Sequence, residues 1–224
     1  MSETNSSEGG GDKFYVDAEK YWAGVPATVD GMLGGFSHLS STDIGGSHKF
    51  LRYMMRNHNL GTKRALDCGS GIGRITKLLL TKLFESVDMV ELNEDFLKTA
   101  KSYLGPQAEK VERLVCCGLQ DFTPEDGRYD LIWCQWVLGH LTDDDLIAFL
   151  QRCKKGLAPN GIIVAKENVA SGENPDFDED DSSRTRPKND LVKLLRDSGL
   201  KIVKEEKQKN FPKEIYDVYT FALQ

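Results

Sequence analysis

From residue 64 to residue 166 the chain alternates short apolar runs with amphipathic ones, and that alternation admits few folds. Residues 64–68, 87–91, 111–116, 130–135 and 161–166 read as strands. Residues 74–83, 93–103 and 142–157, with apolar side chains three and four apart, read as helices between them. Strand, helix and strand in succession force neighbouring strands to run parallel, covered on both faces. A last helix over 188–198 stops at Gly199, and the runs 200–206 and 216–223 follow with no helix between them. They predict a terminal antiparallel hairpin. The expected fold is therefore α/β: one seven-stranded, mostly parallel sheet with helices on both faces and a C-terminal hairpin.

What precedes the sheet is different in kind. Residues 1–12 are Ser, Gly and acids with few large apolar side chains, and they read as a disordered tail. Residues 13–60 read as a helical extension or lid. Helices are expected over 13–23 and 47–56, with a Pro- and Gly-rich loop over 25–36 between them. The unit from 61 to 224 shows no internal repeat and no linker, so it reads as one domain.

Function is confined first by charge. With 35 acidic against 29 basic residues the net charge is −6, which disfavours a protein held to nucleic acid by bulk attraction to phosphate. No run of about 18 apolar residues is present, so no membrane span is expected. The five cysteines are odd in number and lack CxxC spacing, and they read as reduced thiols. The four histidines show no metal-ligand spacing with Cys, Asp or Glu, so no metal is expected.

The glycine loop carries the chemistry. The first strand, with Asp67, runs into Cys68-Gly69-Ser70-Gly71-Ile72-Gly73-Arg74. Glycines at a strand-to-helix turn let a ligand approach the backbone, and the helix N-terminus favours anionic groups. A dinucleotide loop spaces its glycines G-x-G-x-x-G. Here the spacing is G-x-G-x-G, with Arg74 where the last glycine would stand, which argues against an NAD-dependent oxidoreductase. The D-x-G-x-G-x-G pattern resembles the S-adenosylmethionine loop of class I methyltransferases, with a Rossmann-like fold. In that frame Gly69 and Gly71 line the cofactor and Arg74 meets its carboxylate. Glu91, closing the second strand 22 residues after Gly69, accepts from both ribose hydroxyls. Leu92, Leu119 and Gln120 border the adenine, and Gln135 is the polar end of the fourth strand.

Narrower segments go further. Tyr21-Trp22, Thr28-Val29-Asp30-Gly31-Met32-Leu33-Gly34-Gly35, Cys116-Cys117-Gly118-Leu119-Gln120-Asp121-Phe122-Thr123-Pro124, and Gln135-Trp136 with Gly139-His140-Leu141-Thr142-Asp143 together resemble one family. It is the protein N-terminal methyltransferases that act on Xaa-Pro-Lys/Arg ends, and the resemblance spans about 14–223. It implies methylation of the free α-amine of protein N-terminal tails after removal of the initiator Met, to the di- or trimethyl state. S-adenosyl-L-methionine is the implied cofactor, with a nuclear and cytoplasmic location.

The residues fit that assignment. Residues 173–181 hold six acids in nine positions, implying a cationic substrate. The resemblance puts Asp178 and Asp181 at the substrate amine and third-residue cation, with Ser183 beside them and Trp22, Asn168 and Tyr216 also at the substrate. Trp136, Leu33, Leu39 and Ile215 are candidates for an apolar slot that takes a proline ring, though Leu39 and Ile215 read equally as core. His140 and Asp181 are candidate bases for the substrate's proton. Two other readings share these motifs: a methyltransferase for a small cationic metabolite, and a non-catalytic relative that regulates another methyltransferase.

Overall fold

The computed structural model describes residues 9–224. Seven strands form one sheet: β1 Arg64–Cys68, β2 Ser86–Glu91, β3 Val111–Cys116, β4 Tyr129–Gln135, β5 Leu157–Val169, β8 Ile202–Lys207 and β9 Asp217–Leu223. Their order is β3-β2-β1-β4-β5-β9-β8. The first five are parallel, and β9 runs antiparallel between β5 and β8. Connections after β1 run outward to β3, then cross to β4 on the other side. The carboxyl ends of β1 and β4 therefore flank a crevice, where open α/β sheets bind ligands.

The alternating side chains of each strand sort into two cores. Ala65, Leu131, Trp133, Ile162, Val164 and Ala222 face one side. There they meet Phe50, Leu51 and Met54 of helix α3, Ser40–Asn57, which follows α1 Gly9–Gly24 and the single turn α2 Val29–Met32. Leu66, Cys68, Ile132, Cys134, Ile163, Ala165 and Phe221 face the other side. They are covered by Leu146, Phe149 and Leu150 of α6, Asp143–Gly156, and by Leu191, Leu194 and Leu195 of α7, Lys188–Asp197. A helical segment over 74–83, closing in α4 Thr81–Leu83, covers the sheet beside α3. Helix α5 Glu94–Leu104 packs over the β2–β3 edge.

Local chemistry sets the ends of these elements. Thr142 caps α6 by accepting from the Asp145 N–H, and three acids in the first turn suit the helix dipole. Asn93 caps α5 by accepting from Asp95 and Phe96 N–H. Pro26 follows α1 closely and cannot continue it.

Several boundaries differ from the sequence expectation. The helix expected over 13–23 starts at Gly9, so residues 9–12, expected in the tail, continue it; adding a turn to a formed helix is far easier than nucleating one. Residues 1–8 of that tail lie outside the described residues. The helix expected over 47–56 begins at Ser40, because Asp43 and Ser47 are buried on its face by a partner that local pattern does not reveal. The loop expected over 25–36 contains α2, capped by Thr28. Strand β5 starts at Leu157, where the expected helix was to end. The polar loop after 168 folds back as a small hairpin, β6 Asp176–Asp178 with β7 Ser183–Thr185. Its composition disfavours strands. Packing holds it, since Phe177 lies 6.4 Å from the Phe14 ring and the Arg184 guanidinium sits 5.5 Å over that ring.

Candidate functional site

Two cavities meet at the crevice. One, of about 430 Å³, is lined by the glycine loop, Glu91, Leu92, Leu119, Gln120 and Gln135. The other, of about 850 Å³, is lined by Leu33, Leu39, Asn168, Asp181, Ser183 and Tyr216, with Ile215 alongside. Four residues line both: Trp22, Met32, Trp136 and His140. They are the partition across which a group held on one side would pass to the other.

In the first cavity Gly69 and Gly71 have positive φ, 66° and 54°. A Cβ on Gly69 would come within 2.4 Å of Val137, and one on Gly71 within 2.5 Å of the Met32 sulfur. Both positions therefore need glycine for conformation and for room. Glu91 is tied on both oxygens: Oε2 accepts from Gly71 N–H at 2.8 Å and Oε1 from Asn93 N–H at 2.9 Å. Burial pushes its carboxyl up, against those backbone hydrogen bonds. Each oxygen keeps a lone pair for a ligand hydroxyl. Asp67, the acid ahead of the glycines, has a structural duty. It accepts from the Thr76 N–H and hydroxyl, fastening the helix behind the loop, and burial lifts its carboxyl to about 6.

Arg74 and Gln135 both line the first cavity. Read from sequence, both point to a ligand; the structure gives each a protein partner first. Arg74 Nη1 pairs with Asp43 Oδ2 at 2.7 Å, and Gln135 donates to Asp43 Oδ1 at 2.9 Å while accepting from Trp133. Asp43 also binds Lys166, which is fully buried and donates to Ser47 and Gln208 at 2.9 Å. Burial alone would raise Asp43, but Lys166 and Arg74 outweigh it and hold the carboxyl below its usual range. Burial pushes Lys166 down, and Asp43 partly restores it. This network fastens α3 beneath the first cavity. Among the described residues only Asp43 and Ser40 accept from Arg74, leaving Nη2 and Nε for an anionic ligand. Asp43 and Lys166 escaped the sequence reading because nothing local marks a pair 123 positions apart.

Trp136 adopts φ 54° directly after β4. A bulky residue in that region costs on the order of 1–3 kcal/mol and persists only where neighbours enforce it. Here Trp136 N–H donates to Lys166 O at 3.0 Å, and the next two amides, Val137 and Leu138, both donate to Glu167 Oε1 at 2.9 Å. Glu167, also missed by the sequence reading, thus holds the turn that aims the indole into the site. Its carboxyl is pushed up to about 7 by burial, against the Leu138 and Val137 hydrogen bonds and the Arg186 charge. A carboxyl that holds its proton more tightly when folded contributes stability below its unfolded pKa near 4.3, and loses it as pH rises through about 7. Glu167→Gln keeps a carbonyl acceptor and cannot ionise. It should be more stable than the parent at pH 8, by about 2–4 kcal/mol at most, and near parity at pH 4. Thermal melts at the two pH values check this.

His140 lies in the short 3₁₀ turn after Trp136. Its Nε2 accepts from the Trp22 indole at 3.1 Å and lies 4.0 Å from Asp181 Oδ2. Burial lowers the imidazole pKa, while Asp181, the Ser182 backbone and Asp178 pull it back up. Buried polar atoms without a protein partner include Ser70 Oγ, Trp136 Nε1, His140 Nδ1 and Asp181 Oδ1, all on residues of these cavity walls. Burying such groups unpaired is costly, so their clustering marks where a polar ligand is received.

Asp178 lies on the β6–β7 hairpin. It is exposed on β6, accepts from Asp180 N–H, and does not line the cavity. Its cross-strand partner Ser183 does line it, and the Asp178 charge acts on His140 and Tyr21. Tyr216 lines the cavity, with its hydroxyl donating to Asp176 at 3.1 Å. Leu92 is half in solvent at 38%. Among the described residues no helix is long and apolar enough to cross a membrane.

A two-chambered site at the switch point of such a sheet is the arrangement of a class I S-adenosylmethionine-dependent methyltransferase. A solved S-adenosylmethionine-dependent methyltransferase of Leishmania major superposes with a TM-score of 0.90 at 39% identity, covering 94% of this chain and 83% of its own. The fold also matches a Burkholderia thailandensis N1-methyltransferase bound to S-adenosylhomocysteine, with a TM-score of 0.71 at 17% identity, covering 98% and 92%. Residues 10–224 match the model of the AdoMet dependent proline di-methyltransferases, and the chain belongs to that family. It is 54% identical to N-terminal Xaa-Pro-Lys N-methyltransferase 1 of Homo sapiens and 53% identical to the 1-B form of Xenopus laevis. Each comparison covers 94% of this chain and 95% of the relative. The cofactor is S-adenosyl-L-methionine. The wall of the first cavity fits it: a carboxylate with free lone pairs for vicinal hydroxyls, two glycines with no room for a Cβ, an orphaned Ser70 hydroxyl, and guanidinium N–H groups for a carboxylate.

Proposed function

We infer that this enzyme methylates the free α-amino group of proteins whose N-terminus reads Xaa-Pro-Lys/Arg after loss of the initiator Met. The observation that carries the reading is the partition shared by both cavities: Trp136 and His140 on it, with Asp181 beside them in the second cavity, bring together three orphaned polar atoms.

Glu91 takes the ribose hydroxyls, Leu92, Leu119 and Gln120 border the adenine, and Arg74 offers Nη2 and Nε to the amino-acid carboxylate. Trp136, Leu33, Leu39 and Ile215 form the apolar walls for the proline ring, and Asn168, Ser183 and Tyr216 supply polar contacts to the peptide. Asp178, with the other acids of the rim, draws the cation at the third residue. S-adenosylmethionine supplies an electrophilic methyl on a sulfonium, which needs a neutral amine in line with it. A free α-amine has a pKa near 8, so at pH 7 most of it carries a proton. Asp181 receives the ammonium, and His140, kept neutral by burial, accepts the proton. Positioning the nitrogen within about 3–3.5 Å of the methyl supplies most of the rate.

The cofactor assignment is checked by binding. S-adenosylhomocysteine should raise the melting temperature, since it binds the native state selectively. Glu91→Ala should weaken that binding by roughly 1–3 kcal/mol, the scale of hydrogen bonds to a charged group. Parent-like affinity in the variant would remove Glu91 from the site. The acceptor is checked by offering a Ser-Pro-Lys peptide and its Ser-Ala-Lys counterpart. Turnover should favour proline, and equal turnover would contradict the slot.

A further inference from the structure

We propose that Trp22 is a positioning residue for proton transfer: its indole N–H fixes His140 in the tautomer with the proton on Nδ1 and the lone pair on Nε2. The consequence drawn for catalysis rests on the reading of His140 as a base. The tautomer itself is inferred from the Trp22 contact, and it leaves Nδ1–H with no protein acceptor among the described residues.

An indole N–H is a donor only, so the 3.1 Å contact from Trp22 Nε1 makes His140 Nε2 the acceptor. A neutral imidazole carries one proton, which therefore sits on Nδ1. The rings meet edge to face, 5.7 Å apart at 83°. Trp22 is itself anchored. Its carbonyl accepts from the Asn93 side chain at 3.1 Å, while Asn93 caps α5. The indole packs edge-on against Phe96 of α5, at 6.4 Å, and against Tyr21, at 5.5 Å. The donor is thus held from α5, which packs over β2 and β3.

The charged groups facing the imidazole are Asp181, with Oδ2 4.0 Å from the same Nε2, and Asp178 farther along that loop. On the α1 side Tyr21 is the titratable neighbour, its phenol pushed up by burial and by the same acids. Both carboxylates favour an imidazolium. A hydrogen bond donated to the neutral ring opposes them. Burial already favours the neutral ring, and the Trp22 hydrogen bond adds to that preference; the indole must release the Nε2 lone pair as the substrate's proton arrives. Once Nε2 takes a proton it becomes an N–H donor and can no longer accept from Trp22. Asp181 is the group within reach to take that new N–H. Trp22 suits the state before transfer and Asp181 the state after it.

The test uses the full chain with ¹⁵N-labelled histidine and long-range ¹H–¹⁵N correlation spectra across pH. Only His38, His48, His58 and His140 contribute, and His140→Gln assigns the signal. The parent should show His140 protonated on Nδ1 when neutral. In Trp22→Phe, which keeps an aromatic ring and removes the donor, the His140 midpoint should rise by about one pH unit, the shift expected for losing one neutral hydrogen bond. The acid limb of kcat should move in the same direction, while S-adenosylhomocysteine still raises the melting temperature. A packing role alone would leave midpoint and tautomer unchanged. An Nε2-protonated parent, or an unmoved midpoint in Trp22→Phe, would overturn the proposal. The parent spectrum decides the tautomer even if the variant folds poorly. It is read without turnover, so the assignment can hold even where pH–rate data show that His140 is not the base.

Discussion

Asp181→Asn should lower kcat by about 10²–10⁴ at pH 7 while leaving S-adenosylhomocysteine binding intact. The substitution keeps shape and removes charge. Asp181 Oδ1 is buried with no protein partner, and Oδ2 lies 4.0 Å from His140 Nε2, so the carboxylate is aimed at whatever enters the second cavity. An ammonium fits that position, and an amide cannot neutralise it. The loss should be largest where the amine is protonated, with part of the rate returning as pH rises past about 8. A residue that only supports the loop would instead give a flat loss across pH and a lower melting temperature. Cofactor affinity separates the cavities, since Asp181 lines the second and not the first. Steady-state rates from pH 6 to 10, beside a binding curve for S-adenosylhomocysteine, check all three points.

Exchanging the third-residue Lys of a Ser-Pro-Lys peptide for Glu should nearly abolish turnover at low salt, by about 10²-fold or more in kcat/KM. Asp176, Asp178, Glu179 and Asp180 are all exposed on the hairpin beside the second cavity. Like charges brought together at an interface cost several kcal/mol and slow the encounter. Rim charges are screened, so the gap between the two peptides should narrow as salt shortens the Debye length from about 10 Å at 0.1 M. An Ala peptide should fall between. Equal kcat/KM for Lys and Glu at low salt would remove the acidic loop from specificity.

The sheet was legible because its evidence is local. Strand periodicity and the glycine loop placed β1 and β3 with the ends the structure gives them, and the missing helix between the last two strands marked the β8–β9 hairpin. The walls of both cavities were legible through motif spacing for Gly69, Gly71 and Glu91 and through the family resemblance for Trp136, His140 and Asp181, and all of these line one cavity or the other. What escaped depends on contacts between distant residues. Asp43 reads as one more acid on a polar helix until Lys166 and Arg74 close on it. Glu167 reads as a strand-end acid until it takes two amides from the next turn and lines the cavity itself. The hairpin that carries Asp178 has too little strand propensity to be seen without Phe14 beneath it. Trp22 was legible as a residue of the site, but its hydrogen bond to His140, 118 positions away, was not.

Transfer of a methyl from S-adenosylmethionine to a free N-terminal amine is the central claim, and a mass spectrum tests it most directly. A peptide beginning Ser-Pro-Lys and its Nα-acetylated twin are incubated with the enzyme and methyl-labelled S-adenosylmethionine, and fragment ions locate the label. The free peptide should gain labelled methyl groups on its α-nitrogen alone, and the acetylated one should gain none, because an amide nitrogen has no lone pair to offer. Label on the lysine side chain, or equal label on the acetylated peptide, would contradict the account.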